Sequence, residues 1–501
     1  MRKLLILFVV LQSFISSYGQ IRDLATMAVG KIVYNSILYD DDNKLFGYLY
    51  IYEKNVTERS KTMEYVMLDK NLNKVSNAEF ENVTFKSVSN EYYDCTLMGD
   101  YIILNKYYYY VNGFNGATRI LLTSFQIINL KNNAVSNDYT YENGSFKNLD
   151  ADFETMKADY KGQPVKYGVS CFNNDNLKGF FITEDQKKDY YLEKDLRFFD
   201  ENKELLWTYN YNENATKKDF NTFRFLASKK NTLYLTVSHW KTNSLSGLKI
   251  QNYYIVALNL KTGDEIFKYQ IEQRSDPYGH SITAREFDDK IYITGRYYLN
   301  NALSTADNYY LGFYRLILDK NGNELEKTYL PWGQLSELID INANGKVEKN
   351  FKLNPTRYFI FKDGSISILT EKYKIGYASV SVTDFVLFNF DDKFSPKTAN
   401  IIEKNKSYFS SDFLFYQYIK DDTGVVFFYT DMLKNADENG AKSILGINTI
   451  INGELKEEKI PLYVKKKFFI QPYPAKEGYI MLREYNEKNE YNQIRLEKLN
   501  Y

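Results

Sequence analysis

One hairpin constrains this chain more than any other feature. Residues Tyr253 to Ile271 read YYIVALNLKTGDEIFKYQI. An alternating strand, with Tyr254, Val256 and Leu258 on one side, runs into Lys261-Thr262-Gly263-Asp264, and a second strand leaves. Two β-type runs joined by a short Gly-containing connection form a hairpin, because Gly supplies the positive φ that the turn needs. The unit recurs. Its relatives surround Asp69, Lys131, Asp200, Asp319, Asp391 and Asn452, and with Lys261 the successive intervals are 62, 69, 61, 58, 72 and 61 residues.

A second hairpin family interleaves with the first, at Asp42, Gly99, Asp175, Lys230, Asp289, Asp363, Asp422 and Glu477, spaced 57, 76, 55, 59, 74, 59 and 55 residues. Two hairpins per repeat give four antiparallel strands, a to d. A four-stranded unit with a period near sixty residues, repeated seven or eight times, is a β-propeller blade. The second family is the a–b turn and the first is the c–d turn. After the eighth a–b turn come strands at Tyr479 to Tyr485 and Tyr491 to Leu499, which leave the last blade one strand short. The alternating stretch Met27 to Tyr34 (MAVGKIVY) is expected to supply that strand and close the ring. The expected fold is therefore all-β: an eight-bladed propeller, with seven blades as the alternative, closed by an N-terminal strand.

Other β architectures fit less well. A membrane barrel needs an apolar lipid face on every strand, yet Arg495 and Glu497 share parity with Leu499 in IRLEKLNY. A two-sheet sandwich does not need so long a period sustained eight times. The 47 Tyr and 34 Phe among 501 residues, with only 8 Pro, suit strands. No Pro/Gly/Ser-rich linker divides the chain, so residues 20–501 read as a single domain.

Arg2 and Lys3, the apolar run Leu4 to Phe14 and Ser17-Tyr18-Gly19 before Gln20 form a signal-peptide pattern over residues 1–19. The apolar run is too short for a permanent membrane span, and no Cys follows the cleavage point to take a lipid. Cleavage near Gly19 would place the mature chain outside the cytoplasm, secreted or periplasmic. Removing Arg2 and Lys3 takes Lys+Arg from 64 to 62 against 64 Asp+Glu. That balance argues against nucleic acid, which favours a basic excess. Cys95 and Cys171 sit at matching places before the a–b turns of blades two and three. They read as two buried thiols, with a disulfide as the alternative if their Cα atoms approach within about 7 Å.

Within the opening hairpin, Ala257, Asn259, Thr262, Gly263 and Phe267 match the repeat of quinoprotein-type (PQQ-like) propellers, which this blade resembles. The resemblance implies a propeller fold. It does not extend to the dehydrogenase features of that family, a Trp in most blades and often a vicinal disulfide: this chain has three Trp (Trp207, Trp240, Trp332) and no adjacent cysteines.

The a–b and c–d turns share one face of a propeller, and here they are short and polar. The insertions fall on the opposite face. They are Tyr141 to Tyr167 and Pro331 to Leu353 in d–a connections, and Val111 to Thr118, His239 to Asn252 and Leu299 to Asp307 in b–c loops. Long loops on a rigid scaffold commonly carry function.

Three residue sets on this architecture point to binding. Arg224, Arg285 and Arg357 precede the a–b turns of blades four, five and six, on innermost strands. There, guanidinium forks would take a carboxylate, sulfate or phosphate, unless each pairs with a local acid such as Glu286. His239-Trp240 and Tyr278-x-His280 lie on the insertion-bearing side, where imidazole, indole and phenol would stack a sugar or a peptide aromatic, against the plainer reading of core packing. Asp340, Asn342 and Asn344 before Gly345 resemble the start of a calcium loop, although the twelfth position is Phe351 and Glu348 would have to substitute. Turn chemistry explains the same residues. Beyond that calcium no cofactor is expected. The function expected is a non-catalytic binding or scaffolding module, monomeric and without a transmembrane anchor, that recognises an extracellular or cell-envelope protein or glycan. The alternative is a polysaccharide hydrolase or lyase with channel carboxylates as acid and base.

Overall fold

The computed structural model describes residues 21–500 except 41–43, 58–59, 86–87, 112–117, 143, 150–167, 171–178, 184–193, 230, 244–246, 272–277, 300–309, 349–350, 377–379, 409–410, 434–442, 464–466 and 487–490. The signal-peptide pattern at 1–19 and Cys171 lie outside the described residues.

The strands pair into eight antiparallel sheets, one per predicted repeat. Blade 1 comprises Lys31–Tyr39, Leu45–Val56, Ser60–Asp69 and Lys74–Val83. Blade 4 contains the Tyr253 to Ile271 hairpin, within strands Gly247–Asn259 and Glu265–Gln270, outside Asp219–Lys229 and Thr232–Asn243. Burial follows position in the blade. Tyr48 to Tyr52 of strand b and Met63 to Leu68 of strand c are buried without alternation, because both faces of a middle strand meet a neighbouring blade. Outer strands such as Glu454–Leu462 stay mostly exposed.

The core is correspondingly divided. One apolar cluster sits at each of the eight junctions between consecutive blades. Leu49, Ile51 and Met63 of blade 1 meet Leu97, Ile102 and Leu104 of blade 2. Phe359 and Leu387 of blade 6 meet Val425 and Phe427 of blade 7. Cys95 is a free thiol buried in the first of these junctions, and burial pushes its pKa up to about 12.

Ring closure differs in detail from the sequence expectation. The strand that completes blade 8 is Ile21–Asp23, which pairs with Asn492–Lys498. Met27 to Tyr34 does not supply it. Gly30 has φ +115, and a Cβ there would lie 2.2 Å from the Glu53 carbonyl oxygen, so the chain turns at this point. The alternating residues beyond Gly30 begin strand a of blade 1 instead. The closing strand is anchored from the other side of the seam. Arg22 donates to the Leu72 carbonyl at 2.9 Å and to Asn73 at 3.1 Å. Leu24 is wholly buried between blades 8 and 1, and its carbonyl accepts from the Tyr52 hydroxyl at 2.7 Å.

Four of the c–d turns share one hydrogen-bond scheme. Oδ1 of Asp69, Asp200, Asp319 and Asp391 accepts from the amides two and four residues on, at 2.8 to 3.0 Å. The residue three places on has positive φ in each: Leu72, Lys203, Gly322 and Phe394. Blade 4 uses Asn259 to cap Lys261 at 2.9 Å, with Gly263 at φ +76. A Cβ on Gly263 would lie 2.7 Å from the Trp207 ring of blade 3, whose Nε1 donates to the Leu260 carbonyl at 2.7 Å. The Gly of the hairpin thus serves the turn and the junction at once.

Leu24→Ala should cost about 2–5 kcal/mol, as for a buried leucine truncated in a tight core. It should lower the urea midpoint and speed hydrogen exchange along Asn492–Lys498. The turn carboxylates add a pH signature. Hydrogen bonds from Asn323, side chain first, hold the Asp319 carboxyl below its ordinary value. Its contribution is therefore present above the unfolded carboxylate pKa of about 3.9 and lost as pH falls through the folded value. Hydrogen exchange at Asn321 and Asn323 should accelerate in acid in the native chain, and Asp319→Asn should abolish that acceleration.

Candidate functional site

The structure separates the two propeller faces by their chemistry. On the a–b turn face, consecutive blades are tied together turn to turn. Arg285 of blade 5 donates to the Ile360 carbonyl of blade 6 at 3.0 Å and pairs with Asp422 of blade 7 at 3.1 Å. Its guanidinium lies 3.7 Å from the centre of the Tyr418 ring. Lys362 pairs with Asp421 at 2.6 Å, the Lys420 amide donates to Glu477 at 2.8 Å, and Lys476 reaches Asn71 of blade 1 at 2.7 Å. Lys420, Asp421 and Asp422 are three consecutive left-handed residues. Such backbone costs about 1–2 kcal/mol per residue, and these contacts hold it in place.

The three arginines have separate surroundings. Arg285 is engaged as above, with Asp422 rather than Glu286. Arg357 lies over Phe413, 4.6 Å from the ring centre, and donates to the Thr356 carbonyl at 2.7 Å. Arg224 is exposed on its innermost strand.

His239 and Trp240 do not open a loop. Strands b and c of blade 4 continue to pair out to Asn243 and Gly247, so both residues lie within a lengthened hairpin. His239 Nε2 meets Asp219 at 2.7 Å, and Trp240 Nε1 donates to Thr222 at 2.9 Å. The His239 hydrogen bond draws the Asp219 carboxyl below its ordinary range. His280 is buried in blade 5, 2.8 Å from the Tyr329 hydroxyl and edge-on to Tyr314. Each thus finds partners in its own blade. Tyr278 pairs through its backbone with Leu299, and its side chain lies outside the described residues.

The calcium-like stretch repeats the c–d turn scheme. Asn342 Oδ1 accepts from the Asn344 amide at 2.9 Å and the Lys346 amide at 3.1 Å, and Glu348 accepts from Lys372 at 2.6 Å. The surrounding insertion is packed down. Trp332, Leu335, Ile341 and Val347 join the junction of blades 5 and 6, and Trp332 Nε1 donates to the Tyr310 carbonyl at 2.8 Å. The insertion from Tyr141 begins with the hairpin Tyr139–Glu142 and Ser145–Asn148, and 150–167 lie outside the described residues. So do 112–117 and 300–309 of the two remaining b–c loops.

Sequence reasoning missed two features of the insertion-bearing face. The first is a set of buried carboxylates between blades 6 and 7. Lys404 touches Asp412 at 2.5 Å and Glu371 at 3.1 Å, Asp412 also accepts from Ser407, and Asp431 accepts from Asn405. Glu371 is 1% exposed, and burial pushes its carboxyl above the ordinary range against the pull of Lys404. These acids are sealed in an ion-paired network rather than open to a ligand. A matching buried pair, Lys106 with Asp138, stands in blade 2.

The second feature is exposed. In blades 7, 8, 1 and 2, which follow one another across the seam, the innermost strands carry Leu414 and Tyr416 (37% exposed), Phe469 (45%), Val33 (41%) and Tyr93 (45%). Val33, Leu414 and Phe469 lie near the strand starts, at the d–a end. Beside Tyr93, Tyr107 and Tyr109 of strand b donate their hydroxyls to the two oxygens of Glu91 at 2.7 and 2.5 Å. The ring centres of Tyr93 and Tyr107 are 5.7 Å apart and those of Tyr107 and Tyr109 5.4 Å apart. The signal in the sequence was the pair of runs EYYD and KYYYY, but only the register Glu91↔Tyr107 brings them together.

The family described as "Family of unknown function (DUF6770)" matches residues 1–379, and the chain belongs to it. No curated protein matches the chain. Among solved structures it is similar to a europium-containing methanol dehydrogenase, at 9% identity and a TM-score of 0.39, over 93% of this chain and 85% of that one. An ulvan lyase, from a new family of polysaccharide lyases, is similar at 11% identity and a TM-score of 0.38, over 81% and 91%. Prolyl oligopeptidase B from Galerina marginata follows at 10% and 0.37, and the chain, 91% covered, spans 56% of its length. Likeness at this level carries nothing about activity, and the propeller assignment rests on the eight sheets themselves.

Lys404→Met should destabilise the protein by about 3–5 kcal/mol, because it strands buried carboxylates without their counter-charge. The loss should be largest above the carboxylate range and shrink as pH falls, since protonation neutralises the stranded acids. Urea denaturation at pH 7 and pH 5 reads both effects.

Proposed function

We propose that the protein is a secreted or periplasmic binding or scaffolding propeller that recognises a protein or glycan through its insertion-bearing face. One observation carries this reading: exposed apolar and aromatic side chains form an arc across four successive innermost strands, at Leu414, Tyr416, Phe469, Val33 and Tyr93. Exposed apolar groups on neighbouring strands of one face can serve an interaction surface. Aromatic rings serve both kinds of partner, since they stack on sugar faces and anchor protein interfaces. The opposite face, held turn to turn by Arg285, Lys362 and Lys476, acts as the rigid base. The leader-like residues 1–19 support an extracytoplasmic location.

The test is a glycan array together with a pull-down from envelope extract, using the mature chain. Each hit is then measured by titration against Phe469→Ser, Tyr416→Ser, Arg224→Ala and Trp240→Ala. Phe469→Ser and Tyr416→Ser should each weaken a genuine ligand at least tenfold while leaving the melting temperature near that of the native chain. Binding that is indifferent to both would remove the arc from consideration.

A further inference from the structure

Resting on that reading, we propose that Glu91, Tyr93, Tyr107 and Tyr109 form a subsite for a basic side chain, arginine or lysine, presented by a protein partner. The two phenol hydroxyls donate to the Glu91 oxygens and hold the carboxyl below its ordinary range. Glu91 therefore carries its charge at neutral pH. Among the described residues no basic side chain pairs with it. Asp94, on the bulge after Tyr93, adds a second acid whose charge acts on the Tyr93 ring. The rings of Tyr93, Tyr107 and Tyr109 stand beside one another next to an exposed carboxylate, and a guanidinium or ammonium group would pair with the acid and pack on a ring.

Basic groups elsewhere in the same chain already use this chemistry. Arg285 sits over Tyr418 beside Asp422, and Arg357 sits over Phe413. At Glu91 the rings and the acid are assembled, and the cation would come from outside. A uronic or sulfated sugar would meet like charge here, and a neutral sugar could donate hydroxyls to the carboxylate but brings no opposite charge, so the charge favours a basic protein side chain. The subsite lies at the insertion-bearing rim, because Glu91 and Tyr93 are near the start of strand a and Tyr107 and Tyr109 near the end of strand b. Tyr93 is also the blade 2 member of the exposed inner-strand set.

The test is ligand-observed NMR titration of the mature chain with Nα-acetyl-arginine amide and Nα-acetyl-lysine amide. Their neutral counterparts are Nα-acetyl-citrulline amide and Nα,Nε-diacetyl-lysine amide, and maltotriose serves as the sugar probe. Saturable binding of the cationic amides is expected, at least tenfold tighter than the neutral ones and weakened by salt. It should fall at least tenfold in Glu91→Gln and in Tyr93→Leu. Glu91→Gln keeps the shape and is expected to fold normally, as thermal denaturation would verify. Equal binding of citrulline and arginine amides, or indifference to Glu91→Gln, overturns the proposal. So does binding of maltotriose that depends on Tyr93 but not on Glu91, which would make the rings a sugar platform. A partner that requires Phe469 but not Glu91 would leave the reading of the face intact and remove the subsite alone.

Discussion

Everything in this protein depends on the fact that a blade cannot bury its own faces. Strands b and c are apolar on both sides, so each blade is completed only by the two beside it, and the core exists as eight junctions rather than one centre. An open ring would leave the faces of two blades in water. The seam between blades 8 and 1 must therefore be as well packed as the others. A strand of three residues achieves this by drawing Leu24 into the seam and by pinning Arg22 to the first c–d turn.

The same economy shapes the turns. An Asp or Asn that caps its own turn satisfies backbone amides locally. That leaves the turn free to pack against its neighbour, as the Gly263 turn does with Trp207. On the a–b side, hydrogen bonds and ion pairs link turns of blades 5, 6, 7, 8 and 1. Hydrogen bonding to Lys362 dominates the lowered pKa of Asp421, yet Lys44 of blade 1 and Lys229 of blade 4 also contribute. The direct contact across that side is Arg285 of blade 5 with Asp422 of blade 7.

The opposite face handles charge differently. Its buried acids are matched to buried lysines, Lys404 and Lys106, which fix the segments between blades. A buried pair of this kind positions the chain more than it stabilises it. Beside exposed polar groups such as Glu213, Lys217 and Glu337, that face exposes aromatic and apolar side chains on its inner strands, with Glu91 as a carboxylate held by phenols. The insertion around Trp332 is buried in the junction of blades 5 and 6, so its length serves packing.

The repeat, the eight blades, the four-strand unit and the division into two faces were legible in the sequence, because turn residues and alternating runs are local properties set within a few residues. The closing strand was not, since Ile21–Asp23 is too short to show a period and Gly30 interrupts the run that does. His239 and Trp240 were placed on the correct side, but the strand pairing that continues past them cannot be read from one strand alone. Asn342 and its neighbours suit both Asx turns and calcium loops, which use the same residues, and the turn's own hydrogen bonds appear only in the folded chain. Arg285 and Asp422 lie 137 positions apart, and Glu91 and Tyr107 meet only through register. Such contacts depend on how strands and blades are set against one another, which tertiary packing decides. The sequence by itself determined the repeated unit and narrowed its number to eight or seven, and the eight sheets of the structure decide for eight. The folded ring decided which of its side chains are sealed in junctions and which are left to meet a partner.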